Sequence, residues 1–142
     1  MQGRFWMKLV SDANAFISAL LRPGLTRKVW VCPEVFLCAP SYLLIELREH
    51  GAELAGKYKG SAGEFEQLES KLLSYVKLVS DADLKPYLSA ASSLSSDQDD
   101  WLYLACALRE NAAIWTQDGG FTGQKRVKIL TTAELAKEVG LL

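Results

Sequence analysis

Apolar and polar residues alternate along the chain with two different spacings, which predict strands that alternate with helices. Short apolar runs bounded by Gly, Pro, Ser or Asp are typical of buried strands. Longer stretches with apolar residues three or four positions apart are typical of amphipathic helices. The predicted strands are 4–11, 35–39, 76–80, 112–116 and 127–130. The predicted helices are 12–24, 41–58, 64–75, 83–94, 99–110 and 131–142.

Several breaks and caps refine this pattern. Pro23 and Gly24 end the first helix, and the segment 25–31 reads as a short amphipathic turn. Gly51 is a weak point within the helix 41–58, and Pro86 interrupts the helix 83–94. Thr131 or Thr132 caps the last helix, with Glu134 well placed in its first turn.

Strands separated by helices predict a mostly parallel sheet with helices on both of its faces. The chain of 142 residues has the length of one ordinary domain. It contains no internal repeat, low-complexity segment or linker. We therefore expect a single α/β domain that spans residues 1–142.

Composition narrows the class of protein. The hydrophobic fraction of 49% is that of a globular protein, and no run of about 18 apolar residues is present to span a membrane. We expect a soluble, cytoplasmic protein. Cys32, Cys38 and Cys106 form no CxxC pair, so we expect reduced thiols rather than a disulfide or a zinc site.

The formal net charge of −1 gives no global signal for a nucleic-acid partner. A polyanion could still bind where basic residues cluster locally, although scattered surface lysines are an equally good interpretation. The local basic groups are Arg22, Arg27 and Lys28, then Lys57 and Lys59, and finally Lys125, Arg126 and Lys128.

Carboxylates recur where predicted strands end. Asp12 follows the first strand and Asp118 the fourth, whereas Glu46 lies in the helix after the second strand. Asp97 and Asp100 begin the helix that leads into the fourth strand. Because ligands bind outside the carboxyl ends of parallel strands, these acids are expected to converge at one edge of the sheet.

Each acid has an ordinary structural explanation as a helix cap, an exposed helix residue or a turn residue. Together, however, converging carboxylates would raise one another's pKa and cost stability. A divalent cation resolves this conflict, because Mg²⁺ and Mn²⁺ prefer oxygen ligands and keep open positions for water and phosphate. The pattern therefore predicts a site for Mg²⁺ or Mn²⁺.

Helical spacing within "DQDDW" assigns different roles to neighbouring acids. Asp97 and Asp100 are three positions apart and are expected to share a face, with Asp100 at the lip of the cleft. Asp99 is rotated from Asp100 by about 100° and is expected to face solvent. Trp101 is expected to pack in the core together with Leu104.

Four segments in order resemble the motifs of the PIN domain, the metal-dependent nuclease domain of VapC-type toxins and of RNA-processing factors. They are "LVSDANAFISALL" with Asp12 and Asn14, "CAPSYLLIELREH" with Glu46, "DQDDWLYLACAL" with Asp97 and Asp100, and "IWTQDGGF" with Thr116, Asp118 and Phe121. The resemblance covers nearly the whole chain.

The resemblance implies a three-layer α/β/α sandwich around a five-stranded parallel sheet. It also implies hydrolysis of RNA phosphodiester bonds with Mg²⁺ or Mn²⁺. The implied metal ligands are Asp12, Glu46, Asp100 and Asp118, and the residues that orient ligands or water are Asn14, Asp97 and Thr116. The implied partners are RNA, a small antitoxin protein and a second copy of the chain. The apolar segment 25–31 could supply surface for a dimer, although an equally good interpretation is that Val29, Trp30 and Val31 only fill the core.

Two alternatives remain open at this stage. The chain could be a catalytically silent PIN-like scaffold that binds RNA or protein. It could also be a receiver-like regulatory module with an acidic Mg²⁺ pocket, although "VKILTTAEL" places no Lys at the end of the fifth strand, where such modules carry one.

Overall fold

The structure is a computed structural model that describes residues 7–117, 121 and 123–142. Its strands are β1 (Met7–Ser11), β2 (Val35–Pro40), β3 (Val76–Val79), β4 (Ala113–Trp115) and β5 (Ile129–Leu130). Its helices are α1 (Ala13–Leu21), α2 (Leu25–Trp30), α3 (Tyr42–Glu49), α4 (Gly51–Lys57), α5 (Ala62–Leu73), α6 (Asp81–Leu84), α7 (Leu88–Ser92), α8 (Gln98–Glu110) and α9 (Thr132–Glu138). A single 3₁₀ turn, Lys85–Tyr87, joins α6 to α7.

The five strands form one parallel sheet in the order β3-β2-β1-β4-β5. The chain runs outward from β1 through β2 to β3, and then crosses back to β4 on the other side of β1. Such a reversal opens a crevice beyond the carboxyl ends of the two strands that flank it, here β1 and β4. The receiver-like alternative is wrong, because receiver domains have the strand order 2-1-3-4-5.

Each face of the sheet has its own core, since successive strand residues point to opposite faces. Leu9 packs on one face with residues of α1, α2, α5 and α9. Val10 packs on the other face with residues of α6, α7 and α8. The predicted three-layer α/β/α sandwich with a five-stranded parallel sheet is therefore confirmed.

The helices after β2 and β3 are interrupted where the sequence indicates, near Gly51 and at Pro86. The predicted helix 41–58 is two helices, because the backbone leaves the helical conformation at His50, directly before Gly51. The predicted helix 83–94 is broken by the 3₁₀ turn that contains Pro86. In contrast, the segment 25–31, expected to be a turn, contains the regular helix α2.

Other boundaries agree with the sequence pattern. Thr131 caps α9, and its side chain and that of Glu134 form a capping box. Residues 4–6 of the predicted first strand lie outside the described residues. The last strand is shorter than predicted, since the backbone N–H of Val127 bonds to the side chain of Gln124 instead of to a neighbouring strand.

A hydrogen-bonded cluster fixes the end of β4 against the helices of the first core. The Trp115 indole N–H donates to Thr132 Oγ1 at 2.9 Å, and the Thr132 hydroxyl donates to the side chain of Gln117. The Gln117 amide then donates to Ser18 Oγ at 2.8 Å and to Thr26 Oγ1 at 3.0 Å. The cluster thereby fixes the point at which the chain leaves β4.

The cysteines occupy structural positions in the fold. None of the three cysteines forms a disulfide in the part of the chain that the structure describes, and Cys38 and Cys106 lie buried in the second core. A hydrogen bond between these two thiols, together with burial, raises the pKa of Cys106 above its usual range.

Arg27, which belongs to the first predicted basic group, contacts the end of α1. Its guanidinium donates to the carbonyls of Ala19 and Leu20, at 2.7 and 3.0 Å. Arg27 is therefore engaged in stabilising a helix end.

Over the ranges that the structure describes, no helix has both the length and the apolar composition needed to cross a bilayer.

Candidate functional site

An open cleft of about 240 Å³ lies at the carboxyl edge of the sheet, where Asp12 follows β1. Three of the predicted acids meet there, although they belong to distant parts of the chain. Asp118, the fourth predicted acid, lies outside the described residues. The lining residues are Asp12, Ala13, Asn14, Glu46, Asp99, Asp100, Tyr103 and Phe121.

Asp12 is both a helix cap and a wall of the cleft. It is the N-cap of α1, and its Oδ1 accepts a hydrogen bond from the backbone N–H of Ala15 at 2.8 Å. Only 7% of the residue is exposed. The cap and the positive end of the helix dipole hold this carboxylate in place and stabilise its charge. Asn14 is exposed and lines the same cleft two residues later.

Glu46 reaches the cleft from α3, and its carboxylate is tied to α8. The Tyr103 hydroxyl donates a hydrogen bond to Glu46 Oε1. Burial raises the pKa of the Glu46 carboxyl above its usual value, and the negative charge of Asp99 raises it further. The hydrogen bond from Tyr103 opposes this rise. The Glu46 carboxyl therefore holds its proton more tightly than an exposed glutamate does.

The start of α8 differs from the sequence prediction. Asp97 is the N-cap and not a helical residue, and its Oδ1 accepts from the backbone N–H of Asp99 at 3.0 Å. Helical spacing therefore does not relate Asp97 to Asp100, and it gives no reason for the two acids to share a face. Asp97 is exposed and does not line the cleft. By capping α8, Asp97 fixes the first helical turn, which carries Asp99 and Asp100.

Asp99 is exposed, as expected, but it also lines the cleft together with Asp100, which the sequence did not predict. Side chains in a helix tilt toward its N-terminus, and therefore both residues of this first turn reach past the helix end despite their different rotations. Ser95 Oγ donates to Asp100 Oδ2 at 2.9 Å, and Asp100 is partly buried. Asp99 is exposed at the cleft and lies close enough to Glu46 to act on its pKa.

Trp101 does not pack in the core as predicted. Its side chain is partly exposed, and its indole N–H donates to the carbonyl of Ser95 at 2.8 Å. The buried face of α8 begins instead at Tyr103 and continues through Leu104 and Cys106. Trp101 therefore fixes the segment before the helix, which also contains the Ser95 hydroxyl that bonds to Asp100.

Thr116 lies directly after β4 and is fully buried. Its backbone N–H donates to the carbonyl of Leu130 at 3.0 Å, which continues the pairing of β4 with β5 by one residue. Thr116 does not line the cleft. Thr116 therefore extends the pairing at the end of the sheet, two residues before Asp118 in the sequence.

Tyr103 also lines the cleft, and the sequence analysis did not include it among the candidate site residues. It follows Asp100 by three positions on α8 and is 4% exposed. Its ring packs edge-on against Phe121, with the ring centroids 6.4 Å apart. Burial and the hydrogen bond to Glu46 raise the pKa of Tyr103 well above its usual value. The three-residue spacing from Asp100 was the available signal, because residues three apart on a helix are neighbours.

The donor set of the cleft suits a hard divalent cation. Four carboxylates and the Asn14 amide line it, and all can supply oxygen ligands. Outside residues 1–6, 118–120 and 122, no three His, Cys, Asp or Glu side chains form a compact ligand cluster. The volume of about 240 Å³ holds several waters at about 30 Å³ each, so the acids fit an ion that keeps part of its water shell.

Comparisons with known proteins bear on the family and the fold of the chain. The sequence model of the PIN domain matches residues 10–139. No curated protein matches the chain.

Two solved structures have the same fold. One is VapBC2 from Rickettsia felis bound to a DNA fragment from its promoter, with a TM-score of 0.67 and 16% identity over 88% of this chain and 98% of the other. The second is PAE2754 from Pyrobaculum aerophilum, with a TM-score of 0.69 and 18% identity over 100% of this chain and 95% of the other.

Replacement of Glu46 by Gln tests the electrostatics of the cleft in metal-free protein. A carboxyl whose pKa is raised by folding favours the folded state below its unfolded pKa, and that benefit is lost as the pH rises through the folded pKa. The free energy of unfolding of Glu46→Gln should therefore increase relative to wild type between about pH 4 and pH 7. Urea denaturation in EDTA at several pH values measures the difference.

The control for this experiment is Glu138→Gln, which removes the same charge from an exposed position on α9, outside the cleft. Its pH profile should nearly parallel that of wild type. A Glu46→Gln profile that also parallels wild type would show that the cleft imposes no electrostatic cost on Glu46.

Proposed function

Since the chain belongs to the PIN domain family, we propose that it is a metal-dependent endoribonuclease that hydrolyses phosphodiester bonds in RNA. The observation that carries this proposal is the meeting of Asp12, Glu46 and Asp100 in one cleft. Asp12 is the N-cap of α1, Glu46 lies on α3 and Asp100 lies on α8. The crevice between β1 and β4 is where an open parallel sheet binds its ligands.

In this proposal, Asp12, Glu46, Asp100 and Asp118 hold Mg²⁺ or Mn²⁺, directly or through water. When bound, the ion supplies Lewis acidity, which favours ionisation of water and offsets charge on the scissile phosphate. Asp12 supplies a carboxylate that the cap of α1 already fixes. Asp100 supplies one that the Ser95 hydroxyl fixes.

Other residues orient this set. Asp97 caps the helix that carries Asp99 and Asp100, and Thr116 directly follows β4, two residues before Asp118 in the sequence. The exposed Asn14 amide lies beside Asp12 and can hydrogen-bond to water or to a phosphate oxygen. Asp99 is added to the proposed site, because its charge faces the cleft together with that of Glu46.

A catalytically silent scaffold is the second candidate function. Such a scaffold would not need to retain carboxylates in a shared cleft, where they repel one another in the absence of a cation. The charge that Asp99 adds beside Glu46 therefore favours an active site over a scaffold.

Substitutions of the acids separate the two candidates. Asp100→Asn keeps the size of the side chain but removes a metal-binding charge, so Mn²⁺-dependent cleavage of a fluorescent single-stranded RNA should fall at least ~100-fold. Asp99→Asn should reduce cleavage by a smaller factor. Asp97→Asn should reduce it only indirectly, through loss of the cap that orders the first turn of α8. Initial rates measured over a range of Mn²⁺ concentrations give these ratios.

The matched control is Glu138→Gln on α9, an exposed acid outside the cleft. It should cleave RNA at the wild-type rate. Full activity of a folded Asp100→Asn variant would contradict the assignment of this acid, and absence of cleavage by wild type in Mg²⁺ and in Mn²⁺ would favour the scaffold.

We also propose a small antitoxin protein as a partner and a homodimer as the assembly. The antitoxin follows from the likeness to VapBC2, although that likeness by itself shows only the fold. The segment 25–31 gives little support to the dimer, because Val29 and Trp30 are buried in the first core and, of its apolar residues, only Val31 is exposed.

Size-exclusion chromatography coupled to light scattering tests these partner proposals. At tens of micromolar, the chain alone should have twice its monomer mass of 15.7 kDa. After co-expression with the product of an adjacent small gene, it should elute as a larger complex. A monomeric mass would exclude the homodimer under these conditions, and separate elution of the two products would exclude that antitoxin.

A further inference from the structure

The hydrogen bond between Tyr103 and Glu46 joins two helices that are far apart in the sequence. Tyr103 lies on α8 and Glu46 on α3, 57 positions earlier. Both residues line the cleft. Tyr103 is nearly fully buried and its ring is packed against that of Phe121, so its hydroxyl is held at a defined place.

A glutamate needs such support more than an aspartate does. The Glu side chain has three rotatable bonds, one more than Asp, so ordering it costs more conformational entropy. Asp12 and Asp100 are shorter and accept hydrogen bonds from the backbone N–H of Ala15 and the hydroxyl of Ser95. For Glu46, the corresponding support is the hydroxyl of Tyr103.

We propose that Tyr103 is a positioning residue that holds the Glu46 carboxylate toward the cleft, in the orientation in which it binds a divalent cation. This inference rests on the proposed function. Tyr103 anchors Oε1 and leaves the carboxylate free to present Oε2 to the ion. Residues that hydrogen-bond to metal ligands in this way typically contribute 10–100-fold to metal affinity.

The position of Tyr103 also couples two of the acids. Asp100 lies one turn earlier on the same helix, so a single element carries one ligand and the support of another. The distance between α3 and α8 therefore sets the separation of the Glu46 and Asp100 carboxylates. A Phe at position 103 would fill the same core space but would not provide this link.

The first test is Mn²⁺ binding to EDTA-treated Tyr103→Phe, measured by isothermal titration calorimetry. Loss of the hydroxyl should weaken Mn²⁺ binding about tenfold. The melting temperature of the metal-free protein should change little, because the ring stays in place. The control is Tyr42→Phe, which removes a hydroxyl one turn before Glu46 on α3 and outside the cleft; it should bind Mn²⁺ like wild type.

The second test is a double-mutant cycle with Glu46→Gln. If Tyr103 acts through Glu46, adding Tyr103→Phe to Glu46→Gln should weaken Mn²⁺ binding no further. A general effect on the fold would lower affinity by the same factor in both backgrounds. The cycle therefore separates positioning of Glu46 from a structural role of the hydroxyl.

The possible failures are distinguishable. A wild-type chain that binds no Mn²⁺ overturns the proposed function and the inference with it. Wild-type binding that is retained in full by Tyr103→Phe overturns the inference alone. The inference is also overturned if the loss is the same in both backgrounds, or if Tyr103→Phe fails to fold, because the hydroxyl would then be structural.

Discussion

Repulsion between carboxylates at the carboxyl edge of the sheet is the constraint around which the cleft is built. Four acids accept a hydrogen bond there or beside it: Asp12 from Ala15, Glu46 from Tyr103, Asp97 from Asp99, and Asp100 from Ser95. Two of these donors are backbone N–H groups in the first turns of α1 and α8, where the helix dipole favours negative charge. The fold thereby tolerates a concentration of charge that an unsupported cleft would not.

The two cores explain why these helix ends lie at the same edge. In a parallel sheet every strand ends on the same side, and the helices that follow begin there. The first core holds α1 against one face, and the second core holds α8 against the other. Both helices therefore direct their N-termini toward the crevice between β1 and β4. Binding chemistry at this place is a consequence of the strand order, while the particular chemistry depends on the side chains.

The sequence predicted most of the architecture, because periodicity and turn residues report directly on strands and helices. It also placed Asp12, Glu46 and Asp100 at one edge of the sheet, since that inference needs only the strand ends. The role of these residues as metal ligands stays a prediction. The errors concern the first turn of α8, where Asp97 is a cap and Asp99 enters the cleft. Ideal helical spacing is a poor guide at a helix end, because the cap residue lies outside the helix and first-turn side chains reach past it.

Tyr103 and Trp101 show a second limit of pattern reasoning. Both are aromatic residues of the same helix, and periodicity alone assigned Trp101 to the core. In the structure Trp101 bonds to the Ser95 carbonyl, whereas Tyr103 is buried and bonds to Glu46. The partner of Tyr103 lies 57 residues away, so only the tertiary structure reveals it. Polar contacts between distant segments are the part of a site that a single sequence does not encode locally.

The central claim is that these carboxylates form one cation site. A crystal structure of the wild-type protein grown with Mn²⁺, with anomalous diffraction used to locate the metal, tests it most directly. The account predicts an anomalous peak in the cleft, about 2 Å from carboxylate oxygens of at least two of the residues Asp12, Glu46 and Asp100. Well-ordered Mn²⁺ elsewhere on the molecule, with the cleft holding only water, would contradict it.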